Sequence, residues 1–329
     1  MHRSNSGGRK EQNDRLLYEI LVTIFASLNI VDLAAASLVC KTWNKACRDP
    51  SLWHKLDLST LTSYCFNTPP NKIGAYRRSS SKITQFLKHV LSLSNGNTTC
   101  LIFNYYVYIT DEQLIMVAER TRKLKRVVLP KTGDFSRAGV NSAMTLWRGL
   151  ESITITSAVP GHYIFPALGR YCNNITEMKF SCGCIFEEKH AEAMVKYTPK
   201  LKMLSIRSIP ASMKALQCVL RFLEHLKMVN VCHSFIRDTS DRRLYGLGFD
   251  DLRNCLSPLS LGKLIYCEGY LEGGWCLRCQ NGHDNSRSRQ PYGPLEDVWR
   301  EDEITSLATG NHNILPSRTP LWINRFRTN

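Results

Sequence analysis

Leu124-Lys125-Arg126-Val127-Val128-Leu129 carries apolar side chains at its first, fourth and sixth positions, and the same form returns in Leu150-Glu151-Ser152-Ile153-Thr154-Ile155. It returns again at Ile175 to Phe180, Leu201 to Ile206 and Leu226 to Val231, and upstream, with a degenerate first position, at Thr98 to Phe103. The first residues of these segments lie 26, 26, 25, 26 and 25 apart. An interval this constant requires each segment to stack on the one before it, because unconstrained loops would let it drift. Side chains alternate along an extended strand, so the fourth and sixth positions share one face.

Helical patterns fill the gaps. Thr110-Asp111-Glu112-Gln113 is a capping box opening a helix with Leu114, Val117 and Ala118. Phe165, Leu168 and Tyr171, then Ala191 and Met194, then Met213, Leu216 and Leu220 continue at three- and four-residue spacing. A unit of one short strand and one helix cannot cover its own apolar faces, so neighbours must stack into a solenoid with a curved parallel sheet, an α/β architecture. Outside the regular array, Trp53-x-x-Leu56-x-Leu58 fits the strand template and starts an irregular first repeat over residues 53–97. That repeat is broken by an insertion holding Pro69-Pro70 and Arg77 to Ser81, and a helix through Ile83, Phe86, Leu87 and Val90 follows. At the other end Leu261-x-x-Leu264-x-Tyr266 supplies a last strand, which bounds the repeats at 98–272 and leaves 273–329 as a cap or tail.

The N-terminal region reads differently. Residues 1–13 are polar and predict a flexible tail. Leu17, Ile20, Leu21, Ile24, Phe25 and Leu28 then share a helical face, and Asp32 caps a second helix with Leu33, Ala36, Ser37 and Cys40. Trp43 follows, and Asp49-Pro50-Ser51 stops the pattern. So small a helical cluster needs a neighbour or a partner to cover it.

The string Leu17-Tyr18-Glu19-Ile20-Leu21, Ile24-Phe25, Asp32-Leu33, Ser37 to Trp43 and Asp49-Pro50-Ser51-Leu52-Trp53 resembles an F-box, assigned here to residues 14–52. It departs from the family at Leu17 and at Asn29-Ile30-Val31, where prolines are usual. The resemblance implies docking on the Skp-type adaptor of a cullin-RING ubiquitin ligase. By position, the contact candidates are Leu16, Leu17, Ile20, Leu21, Ile24, Leu33, Val39 and Trp43.

The array downstream resembles the leucine-rich repeat, and Ile109 to Leu114 is similar to the strand-to-helix link of its cysteine-containing subtype. The whole resembles plant F-box/leucine-rich-repeat proteins. That resemblance implies a substrate-recognition subunit of an SCF-type ligase, whose F-box binds the adaptor, and through it the cullin, while the repeats bind a target. The x positions are expected on the concave face, so the target-binding candidates are Lys125, Arg126, Glu151, Thr154, Glu177, Lys179, Lys202, Met203, Lys227 and Asn230. Their basic excess points to an acidic or phosphorylated segment. The alternatives are a scaffold without a ubiquitination role and a nucleic-acid-binding solenoid, the latter disfavoured because the x positions lack aromatic stacking groups.

Composition sets the remaining bounds. The 329 residues hold 43 Lys plus Arg against 28 Asp plus Glu, a formal charge of +15, with 43% apolar residues. That rules out disorder over most of the chain and says the surface attracts anions. Thirteen cysteines, many beside apolar residues, read as reduced thiols and suggest the nucleus or cytoplasm. The apolar run from Ile20 to Cys40 carries Asp32 near its centre, a cost of about 2.5 to 3.5 kcal/mol in a bilayer, so a pair of buried helices is expected, and no membrane partner. Cys276-Leu277-Arg278-Cys279 with Cys267 and His283 has the composition of a zinc site at irregular spacing, and free thiols are the favoured reading. No P-loop, Gly-x-Ser-x-Gly elbow or His-Glu-x-x-His is present, so neither catalysis nor a cofactor is expected.

Overall fold

In the computed structural model the described residues are 6–58, 61, 80–103, 107–130, 132–180, 184–207, 209–231, 234–237 and 263–265. Nine helices occur among them: α1 (Ser6–Phe25), α2 (Ile30–Ala36), α3 (Lys41–Ala46), α4 (Ser80–Ser94), α5 (Asp111–Arg120), α6 (Arg137–Leu146), α7 (Gly161–Tyr171), α8 (Glu188–Tyr197) and α9 (Met213–Phe222). The strands are β1 (Lys55–Asp57), β2 (Cys100–Ile102), β3 (Tyr108–Thr110), β4 (Arg126–Val128), β5 (Thr132–Asp134), β6 (Ser152–Ile155), β7 (Glu177–Phe180), β8 (Met203–Ser205), β9 (Pro210–Ser212), β10 (Met228–Asn230), β11 (Phe235–Arg237) and β12 (Lys263–Ile265).

The repeat cores pair sideways into one eight-stranded parallel sheet in the order β1-β2-β4-β6-β7-β8-β10-β12. Pairing keeps equivalent positions opposite one another, so Leu56, Leu101, Val127, Ile153, Met178, Leu204 and Val229 form one continuous row. Every member of that row is buried. The first-position residues Leu124, Leu150, Ile175, Leu201 and Leu226 are buried as well. Strands of three or four residues hold little on their own; the lateral stack makes them stable. The expected irregular first repeat and last strand are present as β1 and β12, which extend the sheet at either end.

Links between helices lock successive repeats. The Trp147 indole N–H donates to the Thr121 hydroxyl at 3.0 Å, and the Cys172 thiol donates to the Met144 carbonyl at 3.6 Å. Burial pushes that thiol up to about 12, so it stays protonated and packs as a small hydrophobe. Gly169 lets α7 meet α8: a Cβ there would lie 2.6 Å from the Tyr197 ring. A second set of short ladders, β3 with β5 and β9 with β11, forms where strand segments turn into helices. Helix starts beside them are capped by Thr110, Ser136 and Ser212.

The three-helix cluster docks on this array. Tyr18 donates to Asp49 at 2.7 Å, and that bond, aided by burial, pushes the phenol up to about 12. Phe25 meets Trp43 edge-on at 5.3 Å, and the Trp53 indole donates to the Cys47 carbonyl at 2.7 Å. Ser37 bonds His89 of α4 at 2.8 Å, and Arg48 donates to the Ser92 carbonyl at 3.2 Å. The neighbour that the cluster requires is therefore α4 on one side. The expectation of a flexible tail is corrected over residues 6–13, since α1 already begins at Ser6, and residues 1–5 lie outside the described residues. Its apolar second half is anchored, and Arg9, Lys10, Glu11 and Gln12 are good helix formers that propagate the helix backwards. No described helix is long and apolar enough to cross a membrane, and the Ile20 to Cys40 run is broken into the end of α1 and the whole of α2. The segment 273–329 lies outside the described residues.

His190 stands among Phe165, Phe180 and Phe186, with ring centroids 6.0 to 6.4 Å away, and its Nδ1 accepts from the Glu187 amide at 3.1 Å. Burial, with Lys189 nearby, holds its pKa below the ordinary histidine value. The unfolded chain then binds a proton at higher pH than the folded one. The contribution of His190 to stability is flat above about pH 6.5 and falls as the pH drops below it. Denaturation between pH 7.5 and 5.5 should show a larger acid loss for the native chain than for His190→Phe; equal losses would contradict this assignment.

Candidate functional site

The 3.6-residue period of α1 divides its apolar side chains between two faces. Leu21 and Phe25 are buried in the core, with Tyr18 and Val22 packed against it. Leu16, Leu17, Ile20 and Ile24 stand outward at 57, 49, 47 and 52% exposure. Leu38 and Val39, in the turn between α2 and α3, are exposed at 73 and 62%. Large apolar side chains left in water in this number on a small module mark a contact surface.

Two adaptor-contact candidates are corrected. Leu21 is 7% and Leu33 4% exposed, so both hold the helices together, and the Leu33 carbonyl accepts from the buried Cys47 thiol at 3.7 Å. Apolar residues on both sides of α1 blur its periodicity, which is why Leu21 reads like Ile20 in sequence. Trp43 is half-buried against Phe25. Leu38 was missed; its signal was the uncapped apolar pair Leu38-Val39 placed directly after a helix.

The repeat candidates also divide. Lys125, Glu151, Lys202 and Lys227 are exposed, and Lys125 pairs with Glu151 across adjacent repeats at 2.6 Å. Arg126 and Glu177 are half-buried and 3.7 Å apart; burial raises the Glu177 carboxyl pKa while Arg126 opposes that shift. Thr154, Lys179, Met203 and Asn230, expected on an open concave face, are buried. Thr154, Lys179, Ser205 and Asn230 lie in register across the sheet. Alternation alone, which led to the expectation of exposure, tells which face a side chain lies on and not what covers that face.

A cleft of about 670 Å³ opens between Tyr108, Asp111, Asp134, Phe135 and Tyr163. Asp111 is engaged there, accepting from the Ser136 amide at the start of α6. Among the described residues no histidine or cysteine lines the cleft, and no His, Cys, Asp or Glu cluster could hold a metal ion. The candidates Cys267, Cys276, Cys279 and His283 lie outside the described residues.

The model of the F-box-like family matches residues 18–59, which span the last part of α1, all of α2 and α3, and β1. F-box/LRR-repeat protein At3g48880 of Arabidopsis thaliana is 31% identical over 88% of this chain and 94% of its own length. Putative F-box protein At4g11580 of the same plant is 26% identical over 92% of this chain and 98% of its own. Putative F-box/LRR-repeat protein 23 is 23% identical over 62% of this chain and 43% of its own. The chain belongs to the plant F-box/leucine-rich-repeat family. Its F-box is of the kind that binds Skp-type adaptors.

The two faces of α1 make opposite predictions. Leu21→Ala should lower unfolding stability by about 2 to 4 kcal/mol, the cost of emptying a packed site. Ile20→Ala should cost less than about 1 kcal/mol. Denaturant titration checks both, and the reverse order would contradict the placement of the faces.

Proposed function

We propose that this protein is the substrate-recognition subunit of an SCF-type cullin-RING ubiquitin ligase. The observation that carries the proposal is the outward apolar stripe of α1 with the Leu38-Val39 turn, on a module fixed to its own repeats through α4. In this reading the stripe packs on the Skp-type adaptor, the adaptor connects to the cullin, and the repeats hold a target protein near the ubiquitin-carrying enzyme. The protein contributes proximity by raising effective concentration, and other subunits do the covalent chemistry. It works in the nucleus or cytoplasm. The family membership and the bonds that tie the helical module to α4 support this reading.

Co-purification with a recombinant Skp-type adaptor tests it. Burying an aliphatic side chain gives about 1.5 to 3 kcal/mol, so Leu17→Asp/Ile20→Asp/Ile24→Asp should weaken the complex by at least roughly a hundredfold and leave thermal unfolding nearly unchanged. Because the contact is apolar, the native affinity should change little with salt. A triple variant that still binds the adaptor would overturn the proposal.

A further inference from the structure

Five successive helix-to-strand turns, at 120–126, 148–151, 170–176, 196–202 and 221–227, lie along one edge of the solenoid. Backbone bonds fix their alignment. The Lys125 carbonyl accepts from Glu151 and Ser152, that of Glu151 from Thr176 and Glu177, that of Thr176 from Lys202 and Met203, and that of Lys202 from Lys227 and Met228. Lys125 and Lys227 therefore stand four strand spacings apart, about 19 Å.

This edge is strongly cationic. Arg122, Lys123, Lys125, Lys200, Lys202 and Lys227 are all exposed, whereas the exposed acids on the same turns are Glu151 and Glu224. Among the described residues, Lys125 pairs with Glu151, and no ion pair involves Arg122, Lys123, Lys200, Lys202 or Lys227.

The fold's own electrostatics account for part of this charge. A helix C-terminus favours a cation, and Arg120, Arg170, Lys196 and Arg221 fill that role in the last turns of α5, α7, α8 and α9. Arg122, Lys123, Lys125, Lys200, Lys202 and Lys227 lie beyond the helix ends, in the turns and strand starts. They are a surplus that no helix needs, held close together against their mutual repulsion.

We infer that this edge, rather than the concave face, is where the protein holds an acidic polypeptide segment of its target. The inference deepens the substrate-receptor reading and rests on it for calling the bound protein a target. The inner concave row is buried, so the exposed charge available for recognition lies on the turns. A nucleic acid is the poorer fit. Of the aromatic rings at this edge, Tyr171 and Tyr197 are half-buried against the core and covered by Arg170 and Lys196 at 5.9 and 5.1 Å, and Phe222, 55% exposed, lies under Arg221 at 5.5 Å, so one exposed ring stands where a single strand needs a series of them. Glu151 also interrupts the row between Lys125 and Lys202, a mixed pattern that suits carboxylates at particular positions better than a uniform phosphate chain.

The full chain bound to its adaptor, and the full chain alone, would be titrated with a labelled peptide of about ten consecutive glutamates, enough to span the ~19 Å row. Lys123→Glu/Lys125→Glu/Lys200→Glu/Lys202→Glu should weaken binding by at least roughly tenfold near 0.15 M salt, while Arg137→Glu/Lys189→Glu/Lys214→Glu on the opposite edge should stay within about twofold. Absent binding by the native chain, equal loss in both variants, or no loss in the first would overturn the inference. Tighter binding of an oligothymidylate of equal charge, lost in the same first variant, would overturn it in favour of a nucleic-acid surface. Adaptor capture is measured on the same samples. Its loss in the native chain would defeat the ligase reading while the glutamate titration still decided the edge.

Discussion

Sideways pairing of parallel strands too short to stand alone is the constraint on which the rest of the molecule depends. Each repeat contributes three or four residues to the sheet, and the row from Leu56 to Val229 is dry because every strand is flanked by its neighbours in strict register. That register sets the repeat length, places each helix against the next and lines up the turns along both edges. A shift of one residue in any strand would carry its apolar set to the opposite face.

The same constraint explains why the N-terminal cluster can leave apolar side chains in water. A module of three short helices lacks a core large enough to hold itself, and here it borrows one from α4 and the start of the sheet. The bonds from Ser37 to His89 and from Arg48 to Ser92 tie it down on that side. The Tyr18–Asp49 bond fixes α1 over the turn that leads into β1, with the carboxylate further steadied by Ser51. With stability supplied from behind, the outward face of α1 is free to be built for contact.

Much of this was readable from the amino acids. The interval between the strand cores gave the solenoid, and the capping box at Thr110 gave a helix start that the structure reproduces in detail. What escaped was whatever depends on three-dimensional closure. Leu21 and Ile20 are neighbours of similar character, and only the packing of α1 shows that one lies in the core and the other in water. Lys179 sits at a strand position that alternation assigns to an open face, yet it is buried, because alternation gives the face and not what covers it. The polar stretch before Asn13 looked structureless because composition does not report a helix propagating from an anchored end. The short second ladders were invisible too, since three-residue strands such as Tyr108–Thr110 carry no periodic signal.

The central claim is that a register-locked array carries a helical module whose outward apolar face we propose to be the contact for an outside subunit. Hydrogen–deuterium exchange of the full chain, with and without a Skp-type adaptor, probes it most directly. The account predicts slow exchange across the repeat strands in both states, with new protection confined to the second half of α1 and the turn that follows α2. New protection centred on the repeat strands, or strands that exchange independently of one another, would contradict it.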